Sequence, residues 1–276
     1  MCRRPGCTDP SHSHRRPHRH PDRRAILVTL VGAAGAMTVG CSPQQLAGLN
    51  LVSDEEVNQM GATTWRRTLR ENRVSRDGAA NATVRRVSER IIAASRSPVA
   101  QWEYAVIEDE TPNAFALPGG KIGVHTGILG LMENDDQLAT VIGHEVGHVN
   151  LAHGQQRVNA QAASQIGLTV LNIALAAGNV GYANEISGLL GAGVNYGVIL
   201  PFSRDHEYEA DGVGVTYMAD AGYDPMQAVT FWQRMARAST DGQKPPEWAS
   251  THPSDDNRIE RLRALASLER NRVRRG

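Results

Sequence analysis

Apolar positions recur at helical spacing in several long stretches of this chain and alternate over short runs between them. Ser53 followed by Glu56 reads as a capping box opening a helix over 54–72, and the same periodicity predicts a second helix over 80–96. The run Trp102 to Ile107 reads as a strand. A second strand-like run, Asn113 to Leu117, leads into the turn Pro118-Gly119-Gly120, and Lys121 to His125 makes a third. From Glu133 the pattern turns helical. Asp135 and Asp136 sit where the positive end of a helix favours acids, and residues 135–153 form a strongly apolar helix. Two Ala- and Gly-rich stretches, 160–178 and 186–200, are interrupted by Asn172, Asn179 and Asn195. They read as buried core helices; the alternative is a membrane-contacting or substrate-lining hairpin. Helices follow over 203–221, over 225–238 with Pro225 in the first turn, and over 254–270, and the basic tail Arg270 to Arg275 reads as a solvated end. No internal repeat breaks this order. The pattern predicts an α+β fold, mainly α, with one small β-sheet.

Composition is that of a globular chain: 41% hydrophobic and 21% charged over 276 residues. The zero formal charge hides two regions. Residues 1–40 hold seven Arg against two Asp, so from residue 41 onward 22 basic residues face 27 acidic ones. A mildly acidic body has no face of the kind that binds phosphate, which argues against nucleic acid as a partner.

The leader has its own logic. A His- and Arg-rich flank ends at Asp22-Arg23-Arg24, and the uncharged run Ala25 to Gly40 follows, too short to span a bilayer. The run ends Met37-Thr38-Val39-Gly40-Cys41, which resembles a bacterial lipobox with Thr38 where Leu is usual. The expected organisation is a signal peptide over 1–40, a tether over 41–52 beginning at a lipidated Cys41, and one domain over 53–276. An uncleaved N-terminal anchor is the alternative. The remaining cysteines, Cys2 and Cys7, fall in the leader, so cleavage before Cys41 leaves no disulfide in the body.

The chemistry is concentrated in His144-Glu145-Val146-Gly147-His148. Residues four apart share a helix face, so both imidazoles can reach one ion, and zinc accepts imidazole nitrogen at about 2.0–2.1 Å. Glu145 lies about 100° round the helix, where its carboxylate can take a proton from water without ligating the metal. A third ligand is needed. His153 is one residue off the register that a third His of a metzincin would occupy, and Leu151 stands where that pattern requires Gly. His153 therefore reads as a helix-end or surface residue. Downstream, Glu207 and Asp211 are four apart. Glu207 suits the third ligand, and Asp211 suits a hydrogen bond to the outer nitrogen of a ligand His. Glu209 points elsewhere on that helix.

With these residues in view the chain resembles the HtpX and CAAX-prenyl-protease type of gluzincin zinc metallopeptidase, especially its soluble periplasmic lipoprotein members. The resemblance covers about 53–270. It rests on Asn113 to Gly120, on the HEVGH run, on Ser203-Arg204 through Ala210-Asp211, and on His252-Pro253 with Arg258. It implies a zincin-like domain in which the HExxH helix packs on a second, ligand-bearing helix, with one zinc ion held by His144, His148 and Glu207. It implies that Asn113, Ala114, Phe115, Ala116 and Leu117 form an edge strand beside the cleft, to which a peptide adds by main-chain hydrogen bonds. It implies a role for His252 near the metal, either steadying the oxyanion or occupying the open metal position. Arg258 is placed near the site, with an ion pair to Asp255 or Glu260 as the alternative. The function expected is a zinc-dependent endopeptidase acting on misfolded or misassembled proteins of the bacterial cell envelope. It would face the periplasm from a lipid anchor, on the outer membrane in preference to the inner. The rival reading is a zinc-binding, chaperone-like scaffold with little proteolysis.

Overall fold

The computed structural model describes residues 51–163, 202–240, 248, 252 and 256–275. The leader, Cys41, most of the tether, and the apolar stretches from residue 164 to 200 lie outside the described residues. Helix α1 spans Asp54–Glu71, and its capping box forms as the sequence predicts: the Ser53 side chain accepts from the Glu56 N–H while the Glu56 side chain accepts from the Ser53 N–H. Helix α2 spans Gly78–Ser95, two residues ahead of the expected start, because the Asp77 carboxylate caps the N–H groups of Ala79 and Ala80.

Three strands follow: β1 Glu103–Ile107, β2 Ala114–Leu117 and β3 Lys121–His125. The sheet order is β1-β3-β2, with β1 parallel and β2 antiparallel to β3. Among the described residues β2 pairs on one side only, so it is an edge strand. Asn113 lies just before β2, its carbonyl accepting from the His125 N–H. The short helix α3, Thr126–Leu129, leads to α4, Asp135–Asn150, capped by the Asn134 side chain.

Every residue of α4 from Gln137 to His148 is buried. Such a helix is a core element covered on all sides. It packs against α2, β2, α5 (Arg204–Asp220, capped by Ser203) and α6 (Met226–Thr240), and α7 (Asp256–Arg275) closes over α5 and α6. Val87 and Ile91 of α2, Ile122 and Val124 of β3, Val141 and Val146 of α4, Met218 of α5, Trp232 of α6 and Leu262 of α7 share one apolar core. Removing that area from water supplies the main driving force for the arrangement.

Two further boundaries differ from the sequence pattern. Helix α4 stops at Asn150, not 153, because Ala152 takes a left-handed conformation (φ 55°) and a new helical stretch starts at His153. Helix α7 continues through the basic tail, whose residues Arg270 to Arg275 are exposed, as expected of a solvated end. Arg272 pairs with Asp220 of α5 and Glu269, which anchors its last turns. Among the described residues no helix is long and apolar enough to cross a membrane.

Candidate metal centre

Helices α4 and α5 meet where both are stripped to backbone. A Cβ built on Gly143 would lie 2.9 Å from the Gly214 carbonyl oxygen, and one on Gly147 would lie 3.1 Å from that of Ala210. This close crossing brings His144 and His148, one turn apart on α4, against Glu207 and Asp211, one turn apart on α5.

Four donors converge there. His144, His148, Glu207 and His252 each offer one atom, and these atoms lie within 4.8 Å of one another. The two Nε2 atoms of His144 and His148 are 3.0 Å apart, and His252 Nδ1 is 3.1 Å from the first. Glu207 Oε1 is 3.0 Å from His252 Nδ1 and 3.4 Å from His148 Nε2, and Glu207 Oε2 is 3.4 Å from His144 Nε2. All four side chains are at most 3% exposed.

The donor set fits a zinc ion. Ligands about 2.0–2.1 Å from a tetrahedral centre are about 3.3 Å from one another, close to the separations found. Three imidazole nitrogens and a carboxylate suit zinc chemically. Lone pairs crowded at this distance in a dry pocket repel unless a cation or a proton lies between them.

The protonation pattern says the same. Burial alone would lower the pKa of His144, but the Glu207 charge and the Asp211 hydrogen bond outweigh it and hold the imidazole up at about 9. Burial also opposes ionisation of Glu207, yet the His144 charge and the hydrogen bond from the His144 imidazole keep its carboxyl far below the usual range. His148 is pushed well below its ordinary value by burial and by the neighbouring His144 charge. One proton thus takes the place of a cation among these groups.

Around this centre the outer atoms are tied down. His144 Nδ1 donates to Asp211 Oδ1 at 2.9 Å. Arg258, 1% exposed, donates to Asp211 through Nε at 2.7 Å and Nη2 at 2.9 Å, and its Nη1 is 2.7 Å from Glu207 Oε2. The guanidinium also lies 3.7 Å over the Trp232 ring. Arg258 is therefore part of the site through Asp211 and Glu207; Asp255, named as an alternative partner, lies outside the described residues.

Glu145 sits beside the donors without joining them. Its Oε1 accepts from the Trp248 indole N–H at 2.8 Å, and its Oε2 accepts from the Ala116 backbone N–H of β2 at 3.1 Å. His252 Nε2 is 3.4 Å from Oε1. Strand β2 therefore runs directly beside the centre, and Ala114 is buried while Phe115, Ala116 and Leu117 are partly exposed. A cleft of about 640 Å³ opens there, lined by Ala116, Pro118, Val57, Val99, His148 and Phe202 among others.

Sequence reasoning misplaced His153 and missed the contacts of Glu209, Trp248 and Phe202. His153, read as a helix-end or surface residue, is 0% exposed, and its Nδ1 lies 2.8 Å from His148 Nδ1. The reason is the left-handed turn at Ala152, which folds the next residue back under α4. Burial and the nearby His206 push its pKa down to about 4. Glu209, read as pointing away, lies 3.0 Å from His153 Nε2. Trp248 carried no motif; its contact with Glu145 marks it. Phe202 stacks on the His148 ring, centroids 3.9 Å apart.

A buried helix bearing HExxH, crossed by a second helix bearing a carboxylate and flanked by an edge strand, defines a zincin-like fold of the gluzincin type. Comparison with known families makes the assignment specific: the model of peptidase family M48 matches residues 79–266, and the chain belongs to that family. It is 41% identical over 180 residues to the mitochondrial metalloendopeptidase OMA1 of Schizosaccharomyces pombe (strain 972 / ATCC 24843), covering 65% of this chain and 51% of that protein. It is 29% identical over 256 residues to the beta-barrel assembly-enhancing protease of Yersinia pestis, covering 88% of this chain and 52% of that protein. With the protein of that name from Escherichia coli (strain K12), identity is 30% over 186 residues, or 66% and 38% of the two chains. The chain spans about half the length of these relatives or less. The gluzincin part of the sequence resemblance thus stands, while the relatives are of the OMA1 and beta-barrel assembly-enhancing kind and not specifically of the HtpX or prenyl-protease kind.

Proposed function

We propose that this chain is a zinc-dependent endopeptidase. His144, His148 and Glu207 hold the ion, Asp211 orients His144, and Glu145 is the general base. The observation that carries the reading is the convergence of these donors with the Glu145 carboxylate beside them, not among them. A zinc ion bound there supplies Lewis acidity, polarising the scissile carbonyl and making water a stronger acid. Glu145 takes the proton from the attacking water and passes it to the departing amine. The open edge of β2, Ala114 to Leu117 with Asn113 just before it, takes an extended peptide by main-chain hydrogen bonds, which gives affinity with little sequence preference.

His252 occupies the fourth corner of the donor set in the resting form. Substrate must displace it, and once displaced its imidazole is available to the developing oxyanion. The substrates are misfolded or misassembled proteins of the bacterial envelope, in line with the name of the beta-barrel assembly-enhancing relatives. Lipidation at Cys41 would hold the enzyme on a membrane, the outer one in preference, facing the periplasm.

One observation favours a second reading, a zinc-binding scaffold that rarely cuts. Both oxygens of Glu145 already accept protein hydrogen bonds, and His252 fills the corner that substrate needs. Cleavage of casein by purified protein, with and without chelator, separates the two. Zinc-restored cleavage that Glu145→Gln abolishes, with the variant's metal content unchanged, supports the endopeptidase. Stoichiometric zinc with no cleavage of any unfolded protein supports the scaffold. A Glu207→Ala protein that retains full zinc affinity would sink the ligand assignment itself.

A further inference from the structure

We infer that His153 and Glu209 form a positioning relay that sets the tautomer of His148 and thereby makes it a metal ligand. The inference rests on the metal-site reading above.

His148 presents Nε2 to the other donors, so Nε2 must be bare for that nitrogen to offer a lone pair, and the proton must then sit on Nδ1. A proton on Nδ1 in a buried site needs an acceptor. The atom 2.8 Å away is Nδ1 of His153. His153 Nδ1 accepts only if the His153 proton is on Nε2, and Nε2 lies 3.0 Å from Glu209 Oε2. An ionised carboxylate accepts and never donates. Glu209 therefore fixes His153, and His153 fixes His148.

The reverse arrangement is penalised at both ends. If His153 Nδ1 donated to His148, its bare Nε2 would face a carboxylate lone pair, and the His148 proton would point into the donor cluster and block it. His153 is held for this task from two sides. Ala152 (φ 55°) turns the chain so that residue 153 comes back beneath residue 148, and His206 stacks on the ring with centroids 4.2 Å apart. The two ligand histidines of α4 are thus oriented by different means: His144 directly by the Asp211 carboxylate, His148 at one remove through a second imidazole.

The test uses the full chain and zinc alone. Zinc affinity is measured by chelator competition, the Co²⁺ visible spectrum reports ligand geometry, and ¹⁵N chemical shifts of the His148 ring report its tautomer. His153→Leu fills the volume but accepts no proton, and it is expected to weaken zinc binding roughly 10–100-fold. His153→Asn places a carbonyl oxygen near the former Nδ1 and is expected to restore most of that loss. Glu209→Ala, at a side chain 59% exposed, tests the outer member without threatening the fold and is expected to weaken zinc severalfold and to mix the His148 tautomers. Wild-type zinc affinity, cobalt spectrum and tautomer in His153→Leu, or in Glu209→Ala should the first variant not fold, would overturn the relay while leaving the metal site intact. A wild-type protein that binds no zinc would overturn both.

Discussion

Gly143 and Gly214 touch backbone to backbone: a Cβ on Gly214 would lie 3.0 Å from the Gly143 carbonyl carbon and 3.0 Å from the His144 amide nitrogen. The distance between the donor side chains on α4 and α5 is set at this contact. Gly214→Ala is expected to push the helices apart, destabilise the fold by about 1–3 kcal/mol and weaken zinc binding with it. Gly212, on the same helix, would place its Cβ in open space. Gly212→Ala is expected to stabilise by up to about 1 kcal/mol through helix propensity alone. Denaturant titration of the pair checks both signs. Equal effects would show that the crossing is not the constraint.

Ala152 is a second place where the backbone is held against its preference. Its φ of 55° is a left-handed conformation that an L side chain enters at about 1–2 kcal/mol, and the residue is exposed, so its methyl gains little from burial. Ala152→Gly is expected to raise stability by about 0.5–1 kcal/mol, read as a higher denaturant midpoint at unchanged slope.

These two sites show what the sequence made legible. The capping box at Ser53 and Glu56, the three strands, and the paired donors at His144 and His148 follow from local spacing, and local spacing survives folding. The partnership of Asp211 with His144 was also readable, because a carboxylate one turn from a ligand has few other uses. His153 was not. Five residues after His148, a continuous helix would aim it at a different face, and no Gly announces the turn that brings it back. Trp248 was invisible for another reason: its hydrogen bond to Glu145 joins residues 103 positions apart, and nothing in one sequence marks that pair. Arg258 was legible as a site residue only through resemblance, since its partners lie on α5 and not on its own helix.

Arg258 carries the next prediction. It is buried with two carboxylates, Asp211 and Glu207, and both hold it in the charged state against the burial that opposes it. Arg258→Met leaves two buried negative charges facing each other. Removing one partner of a buried pair is expected to destabilise by about 3–5 kcal/mol. The loss should be larger in chelator-treated protein than in zinc-loaded protein, because a bound cation compensates Glu207. Arg258→Lys should recover little, since an ammonium cannot reproduce the two-pronged bond to Asp211. Thermal unfolding of each variant with and without zinc measures the difference. A zinc-independent loss would argue that Arg258 serves packing on Trp232 more than charge.

The same charges set how the metal-free protein responds to pH. His144 is raised from 6.5 to about 9, so its contribution is fully present below pH 6.5 and disappears as pH climbs through about 9. His148 and His153 are displaced the other way, the latter to about 4, so their contributions are present above 6.5 and disappear as pH falls. Glu207 and Asp211, both held below their ordinary values of 4.5 and 3.8, add to the loss on the acid side. The metal-free protein is therefore expected to be most stable at about pH 6–7 and to weaken in both directions. Zinc must displace the His144 proton to bind, so affinity should rise about tenfold per pH unit between 7 and 9 and level off above. Calorimetry in buffers of different ionisation enthalpy should find about one proton released per zinc at pH 7, falling towards zero near pH 10. Zinc affinity that stays flat between pH 7 and 9 would mean that His144 carries no such proton, and that the crowding of lone pairs around Glu207 is relieved in some other way.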